Sequence, residues 1–433
     1  MKNLFLTLLI IGVANVFSQT KKDYSFVYLT DSIISTAYKH YEKGQYNDAV
    51  TEFKKIAKSD PKYLVAQYEI ALSLFADGKK EELLNHLETL YKEGKMKEYP
   101  SLYTLFGTYY SDEKEYDKAE KIFNEGAEYL SNSSNFLYNQ AILYLRKEEL
   151  QKSADLLKKA VTMNPNLSSG HYFLGAIAIE NGNIVEGSLA LLSYLAISPD
   201  GKYANEAVLK LNSKFGENFL TKGKVVFSNT GDNFEELETI LRNQLPLRKA
   251  YKLKTEIDDV IMRQMQAVME YSLDHKMGNG FFETTYMPWV KDLVSKNQFE
   301  GFSYYMLLGL EENLGKELTK HKKLITTFYE KYYMVDFWNH FAKRNLDHFG
   351  TKQDVVIYLN DGRPFIMGPV VNNKKEGKFK LLGENGNVEG ELFLKNDELE
   401  GVQKYFDDKG KLEMVKTFSA GKLHGEKKEY YSN

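Results

Sequence analysis

Apolar positions recur along the first half of the chain with a step close to 34 residues. One series places a small residue in each repeat: Ala37, Ala71, Gly107, Ala141 and Gly175. A second series keeps the same step twelve residues later: Ala49, Leu83, Ala119, Ser153 and Gly187. A third, of large residues, follows four positions on: Phe53, Leu87, Phe123, Leu157 and Leu191. Such regularity predicts a tandem array of repeats over about residues 30–201.

Each repeat has the pattern of a helical hairpin. Small side chains let two helices approach closely, and large apolar residues fill the space between neighbouring hairpins. Glycines fall where the chain reverses between the two predicted helices, at Gly44, Gly78 and Gly182. Prolines follow the second predicted helix in three repeats, at Pro61, Pro165 and Pro199. We therefore predict an α-solenoid.

The repeats resemble the tetratricopeptide repeat family. The clearest segments are YEKGQYNDAVTEFKKI followed by DP, and HYFLGAIAIENGN followed by SP. The pattern departs at Leu83, where a small residue is usual, and at Ser131, where the closing proline would fall. A segment over 203–215 is similar to the capping helix of such solenoids. The resemblance implies that the array binds a protein or peptide on the concave surface lined by the first helices.

On the family's register, seven side chains of the first helices turn into this groove: Tyr38, Tyr41, Tyr68, Phe75, Tyr138, Arg146 and Tyr172. The tyrosines at 68, 138 and 172 share one place in their repeats and would form a column. The column lacks the Lys/Asn/Arg set with which some family members hold a terminal carboxylate. We therefore expect an internal segment or an apolar helix as ligand. Alternatively, these tyrosines only pack between neighbouring hairpins.

Residues 217–350 contain no repeat, and their periodicity predicts helices at 233–245, 256–273, 299–314 and 317–346. For the second of these helices, Thr255 is the expected N-cap with Asp258 three residues on, and Asp259 the expected partner of Arg263. Both tryptophans, Trp289 and Trp338, lie here. Aromatic neighbours in sequence are Phe281, Phe282, Tyr332, Tyr333 and Phe337. We expect a helical core that continues the solenoid, with a ligand pocket as the alternative.

The period changes after about residue 352, where alternating runs such as DVVIYL and GELFL predict β-strands. Gly377, Gly401 and Gly425 are 24 residues apart, as are Gly386 and Gly410. Each repeat is predicted to be a hairpin with glycine in its turn. The segment GVQKYFDDKGKL at 401–412 resembles the bacterial variant of MORN-type repeats, although Leu381 replaces the tyrosine expected in the first. This resemblance implies a binding or scaffolding module.

The first residues have the pattern of a secretory signal peptide. Lys2 precedes a short apolar run from Leu4 to Phe17, and Val16 and Ser18 fit the positions before cleavage. Residues 1–18 would be removed, giving a chain that starts at Gln19 and has no transmembrane segment. We expect a protein of the periplasm or cell envelope, or a released one. The chain has no cysteine, which excludes disulfides, thiolate catalysis and a lipid anchor on cysteine.

Charge and motifs argue against nucleic acid and against catalysis. The net charge is −3, and only six of the 57 basic residues are arginine, the usual reader of phosphates. The eight histidines are scattered, at positions 40, 86, 171, 275, 321, 340, 348 and 424, with no two spaced three or four apart. Positions 340 and 348 fall on one predicted helix, two turns apart. Neither a nucleophile elbow nor a phosphate loop occurs, so we expect no metal, no cofactor and no enzyme.

The sequence thus predicts a mainly α protein: a tetratricopeptide-type solenoid, a further helical region and a small antiparallel β-repeat module. The predicted domains are the signal peptide at 1–18, the solenoid at 30–216, the helical region at 217–350 and the β-repeats at 352–433. The predicted function is that of an exported scaffold for a protein or peptide. Two alternatives stay open: an enzyme or small-ligand carrier with its site in 217–350, and a structural envelope component without a discrete ligand.

Overall fold

The computed structural model describes residues 25–216, 231–332, 338, 344–360, 363–372, 374–383, 386–407 and 410–430. The predicted signal peptide and its cleavage site at Gln19 lie outside these residues, as do Tyr333, Phe337 and His340. None of the described helices is long and apolar enough to cross a membrane. By its internal contacts the chain divides into two compact units, between Phe106 and Gly107.

The first unit is built from helical hairpins. Its helices are α1 (Ser25–Glu42), α2 (Tyr46–Phe53), α3 (Tyr63–Ala76), α4 (Lys80–Lys92), α5 (Lys95–Glu98) and the beginning of α6 (Ser101–Asp112). Two hairpin turns use the predicted glycines, Gly44 with φ 73° and Gly78 with φ 71°. A Cβ at either position would meet nothing within 4 Å, so the left-handed backbone alone favours glycine there.

The second unit contains the later hairpins, α8–α9 and α10–α11. The bounds are α7 (Tyr116–Leu130), α8 (Ser134–Arg146), α9 (Leu150–Met163), α10 (Ser168–Glu180), α11 (Ile184–Ile197) and α12 (Ala204–Gly216). The helix predicted over 203–215 is α12. Small residues lie where helices touch, since a Cβ on Gly107 would come within 2.7 Å of the Phe123 ring. Two turns without glycine place Lys114 and Glu148 in the left-handed region, with φ 62° and 59°.

The middle helices pack directly onto the last hairpins. They are α13 (Glu235–Arg242), α14 (Val260–Ser272), α15 (Phe281–Ser295), α16 (Phe299–Tyr305), α17 (Glu311–Lys320) and α18 (Lys322–Tyr332). One apolar cluster extends from Ala141 to Trp338 and has Trp289 among its fully buried members. The expected helical core that continues the solenoid is therefore confirmed.

Two predictions about these helices are wrong. The single helix expected over 317–346 is two helices, broken at His321, and a β-strand already begins at Arg344. His348 ends that strand, so positions 340 and 348 do not share a helix. Helix α15 was not predicted at all. It contains Pro288, and its N-terminus is capped from a distance: the carboxylate of Asp232 accepts the backbone N–H of Glu283 at 2.9 Å.

The start of α14 also differs from the prediction. Thr255 does not cap the helix; its hydroxyl donates to the carbonyl of Ile257. The N-cap is Asp259, whose carboxylate accepts the N–H of Val260 at 2.7 Å. Because Asp259 is used as the cap, Arg263 pairs with Asp258 instead. The three acidic residues before α14 therefore have roles that are shifted by one position along the chain.

The C-terminal part is an antiparallel sheet that begins at Arg344, earlier than the predicted 352. Its strands are β1 (Arg344–His348), β2 (Thr351–Asn360), β3 (Arg363–Gly368), β4 (Val370–Val371), β5 (Lys374–Lys375), β6 (Gly377–Leu382), β7 (Val388–Lys395), β8 (Glu398–Leu399), β9 (Gly401–Phe406), β10 (Leu412–Ser419) and β11 (Lys422–Glu429). The order is β1-β2-β3-β6-β7-β9-β10-β11, with β8 beside β7 and a separate pair β4–β5.

The 24-residue step corresponds to equivalent places in successive hairpins. Gly377 in β6 lies opposite Leu394 in β7, and Gly401 in β9 lies opposite Phe418 in β10. The repeated glycines all have positive φ: Gly377, Gly386, Gly401, Gly410 and Gly425. The sheet has apolar clusters of its own, one around Ile357 and Met367 and another around Phe379 and Leu392. The hairpin interpretation of the repeat is confirmed.

Candidate functional site

The best-formed candidate site is a groove on the first helices of the later hairpins, within the second unit. Residues spaced three or four apart on a helix share a face, and Tyr138, Ile142 and Leu145 meet this condition on α8. The groove has a volume of about 350 Å³. Its lining comes from α6, α8, α10 and the segment before α12: Thr108, Ser111, Tyr138, Asn139, Ile142, Leu145, Arg146, Phe173 and Tyr203.

Aromatic rings form one wall of the groove. The rings of Tyr138 and Phe173 lie 6.2 Å apart, and those of Phe173 and Tyr203 lie 5.4 Å apart in an edge-to-face arrangement. All three side chains are half-buried. Burial raises the pKa of Tyr138, so its hydroxyl stays protonated and able to donate a hydrogen bond. A wall of this kind offers apolar area together with hydroxyl groups.

Polar side chains line the opposite side. The guanidinium of Arg146 pairs with the carboxylate of Asp112 at 2.6 Å and donates to the Ser111 hydroxyl at 2.7 Å. Both partners lie on α6, one hairpin earlier. Thr108 donates to the side-chain carbonyl of Asn139 at 3.3 Å. Arg146 is thereby held in place by a carboxylate of the protein itself.

Tyr172 does not line this groove, contrary to the predicted column. Only 3% of its surface is exposed, and its ring stacks on Tyr203 at 4.3 Å with an angle of 8° between the planes. Tyr194 packs edge-on against it from α11. The segment that follows the last hairpin therefore covers the position that is half-exposed at Tyr138. Its neighbour Phe173 faces the groove instead.

The first unit holds the other four predicted residues on α1 and α3. Tyr38 is among its more exposed large side chains, and its hydroxyl donates to Glu69 at 2.8 Å. Phe75 is also exposed. The remaining two are half-buried against other tyrosines: Tyr41 with Tyr46 at 5.1 Å, and Tyr68 with Tyr99 at 5.5 Å. The two exposed members are accessible to a ligand, whereas Tyr41 and Tyr68 also serve packing.

Sequence reasoning missed Phe173 and Tyr203. Phe173 is one residue beyond the predicted column, and a 35-residue step from Tyr138 would have found it. Tyr203 precedes α12, where the repeat pattern offers no expectation. Its place in the groove follows from its stacking on Tyr172, a contact between residues 31 positions apart.

The middle region encloses a cluster of polar side chains. His275 and Glu283 form a 2.6 Å contact in which both side chains are almost fully buried. Asp232 lies beside them at the start of α15, and burial raises its pKa. The Lys158 ammonium lies 5.5 Å from the centre of the Phe282 ring, and burial lowers its pKa. Because His275 and Glu283 are enclosed, a substrate would reach them only after the helices open.

One group of side chains has the composition of a metal site. Glu256, Glu317 and His321 each offer one ligand atom, and these atoms lie within 4.8 Å of one another. The sequence predicted no such site, because the scattered histidines were considered only in pairs. A glutamate four residues before a histidine on one helix is the signal that was available.

The comparisons with known proteins give a weak and partial match. No family model matches the chain. The mitochondrial import receptor subunit TOM70 of Rattus norvegicus is 20% identical over 176 residues, covering 38% of this chain and 28% of that protein. The TOM70 of Mus musculus matches with the same figures. The chain thus spans less than a third of the length of these curated relatives.

Solved structures of helical repeat proteins also match. MamA from Desulfovibrio magneticus RS-1 covers 40% of this chain and 97% of its own, with 14% identity and a TM-score of 0.33. A thermophilic tetratricopeptide repeat protein of Thermus thermophilus, TTC0263, covers 43% of this chain and 98% of its own, with 16% identity and a TM-score of 0.36. These scores are too low to carry an argument. The observed hairpins, their small-residue contacts and their 34-residue step identify the helical repeats as tetratricopeptide-like.

Proposed function

We propose that the chain is an exported, non-enzymatic scaffold that binds a protein partner in the groove of its helical hairpins. The observation that carries the proposal is the aromatic wall of Tyr138, Phe173 and Tyr203 around a cavity of about 350 Å³. Half-buried aromatic residues are the commonest anchors of protein interfaces. The curated relatives are receptor subunits by name, which agrees with a role in recognising other proteins.

The chemistry of the groove favours an internal, largely apolar segment of the partner. Arg146 is the one cation among the residues that line the described groove, and Asp112 already neutralises it. A free acidic tail would have to compete with that carboxylate. An apolar helix or extended segment would instead bury its side chains against the aromatic wall and reach the hydroxyl of Tyr138.

The export and the role of the sheet belong to the same proposal. The pattern of residues 1–18 supports secretion to the periplasm or cell envelope, or release from the cell. The 24-residue hairpins support a MORN-like module as a second interaction surface. Three apolar side chains of this module are exposed, Phe393, Val402 and Leu423. The enclosed His275–Glu283 pair gives no support to an enzyme in the middle region.

The test is affinity purification of the tagged mature protein from envelope and culture fractions, followed by measurement of binding to the partner that co-elutes. The double variant Tyr138→Ala with Phe173→Ala should weaken binding by roughly 2–4 kcal/mol, because both anchors are lost. Leu209→Ala is the matched control, since Leu209 is an exposed apolar residue of α12 outside the groove. The purified native chain should begin at Gln19 or Thr20.

Three results would contradict the proposal. Unchanged affinity in the double variant would place binding elsewhere. An equal loss in Leu209→Ala would make the groove unspecific. A native protein that retains Met1 in the cytoplasm would exclude export. Thermal unfolding of each variant distinguishes lost binding from lost folding.

A further inference from the structure

The group formed by Glu256, Glu317 and His321 lies at the junction of two middle-region segments. Glu317 and His321 are four residues apart at the end of α17, which puts their side chains on one helix face. Glu256 approaches from the chain just before α14. The three ligand atoms fall within 4.8 Å of one another. Both carboxylates are exposed, whereas the imidazole is buried.

The Nε2 atom of His321 is an independent sign of a ligand. His321 is only 9% exposed, and its Nε2 has no hydrogen-bond partner among the residues that the structure describes. The nearest carboxylate oxygen, Oε2 of Glu256, is 3.7 Å away, beyond hydrogen-bond distance. Buried polar atoms are normally satisfied, and an unsatisfied one calls for an explanation such as an absent ion.

Tyr304 holds two of the three groups in position. Its ring stacks on His321 at 3.9 Å with 5° between the planes. Its hydroxyl oxygen accepts the backbone N–H of Glu256 at 2.9 Å. One fully buried side chain thus orients both the imidazole and the segment that carries the carboxylate. Supporting contacts of this kind are typical of metal sites, where the surrounding groups fix the ligands.

We propose that Glu256, Glu317 and His321 bind a divalent transition-metal ion of the zinc class. An imidazole nitrogen with two carboxylate oxygens suits Zn²⁺ and similar ions. Mg²⁺ and Ca²⁺ prefer oxygen ligands alone. Three protein ligands leave a position for water. The ion would tie the segment before α14 to the end of α17.

Lys320 is the internal competitor for this site. Its ammonium donates to Oε2 of Glu256, so the carboxylate is neutralised by a cation of the chain when no metal is bound. A bound ion would take over that oxygen and release the lysine. Removal of the ammonium should therefore strengthen metal binding, an effect that a purely structural role of the three residues would not produce.

The experiment uses the full mature chain, freed of any histidine tag and stripped with a chelator. Calorimetric titration with Zn²⁺ should find one ion per chain, and Co²⁺ should give the visible absorption of a low-coordinate site. Glu317→Gln should weaken binding by about tenfold or more, and Tyr304→Phe by about tenfold, because it keeps the ring but loses the acceptor for Glu256. Lys320→Met should tighten binding.

His40→Asn is the matched control, because His40 lies 3.9 Å from Asp48 but has no third ligand in the groups found among the described residues. Its affinity should equal that of the unmodified chain. Wild-type affinity in Glu317→Gln would overturn the assignment, and exposed Glu317 can be replaced without loss of folding. Equal competition by Mg²⁺ would overturn the choice of metal. Weaker binding in Lys320→Met would contradict the proposed competition.

Discussion

A carboxyl group is buried inside the helical core at Glu186, a residue of α11. Only 2% of its surface is exposed, and the amide of Asn183 lies 3.4 Å from one of its oxygens. Burial, together with the nearby charges of Glu238 and Asp232, raises the pKa of Glu186 to about 7. The group therefore prefers its neutral form in the folded protein, in contrast to an exposed glutamate.

This burial predicts a pH-dependent stability. The folded pKa exceeds the ordinary value of 4.5, so the folded state binds more protons, and stability falls as the pH rises from 4.5 to about 7. Glu186→Gln should remove this dependence, gaining on the order of 3 kcal/mol relative to the parent chain between pH 4.5 and about pH 8. Urea unfolding at several pH values measures it. Glu180→Gln is the control, because Lys210 lowers the pKa of Glu180. Parallel pH profiles for Glu186→Gln and the parent chain would refute the prediction.

At the scale of helices, the hairpin α10–α11 depends on glycine at its crossing point. A Cβ on Gly187 would lie 2.7 Å from the backbone nitrogen of Ile179 and 2.9 Å from the carbonyl oxygen of Gly175. Backbone atoms cannot yield as a flexible side chain can. The small-residue series of the sequence is therefore a series of close helix contacts.

Replacement of this glycine should destabilise the protein. Gly187→Ala should lower the free energy of unfolding by about 1–3 kcal/mol, since the strain of overpacking exceeds the gain in helix propensity. Gly315→Ala is the matched control in α17, where the nearest atom to a Cβ is 3.9 Å away. That variant should gain roughly 0.5–1 kcal/mol from propensity alone. Chemical unfolding of both compares them directly. A stabilised Gly187→Ala would show that the helices are free to separate.

Elements were predictable from sequence where their signal is local. The hairpins and the β-repeats have a period, and the period fixes which residues are buried. Helix α15 was missed because its cap, Asp232, is 51 residues from the N–H that it accepts. The burial of Tyr172 depends on Tyr203, which belongs to another element. Strand β1 is five residues, RNLDH, without clear alternation, and is defined by its pairing with β2. Contacts between distant segments decide these features.

At the scale of the molecule, the second unit combines helices and sheet without merging their cores. The apolar cluster of the helices extends from Ala141 to Trp338, and among the described residues none of its members lies in a strand. The sheet is attached through polar contacts instead. Arg344 in β1 is buried and donates to the carbonyl of Thr162 at 3.3 Å, and burial lowers its pKa to about 10.

Separate cores predict that the helices fold without the sheet. Deletion of 344–433 should retain the helical circular-dichroism signal and lower Tm by about 2–4 °C, the loss of roughly one polar contact. Deletion of 352–433 should be worse, because it leaves β1 without β2. Size-exclusion chromatography should then show association through the unpaired strand. Loss of cooperative unfolding in the longer deletion would mean that the sheet is part of the helical core.

The attachment of the sheet at one end also bears on how such chains can evolve. Beyond Arg344, the turn at Gly386 approaches the helices, where a Cβ would lie 2.7 Å from the carbonyl oxygen of Asn132. Strand β11 is at the opposite end of the sheet order. Duplication of a 24-residue repeat after Glu400 would lengthen the sheet by one hairpin and leave both attachment points in place. The gene can therefore gain or lose repeats in whole steps, and related chains should vary in length by multiples of 24 residues while the groove is inherited unchanged.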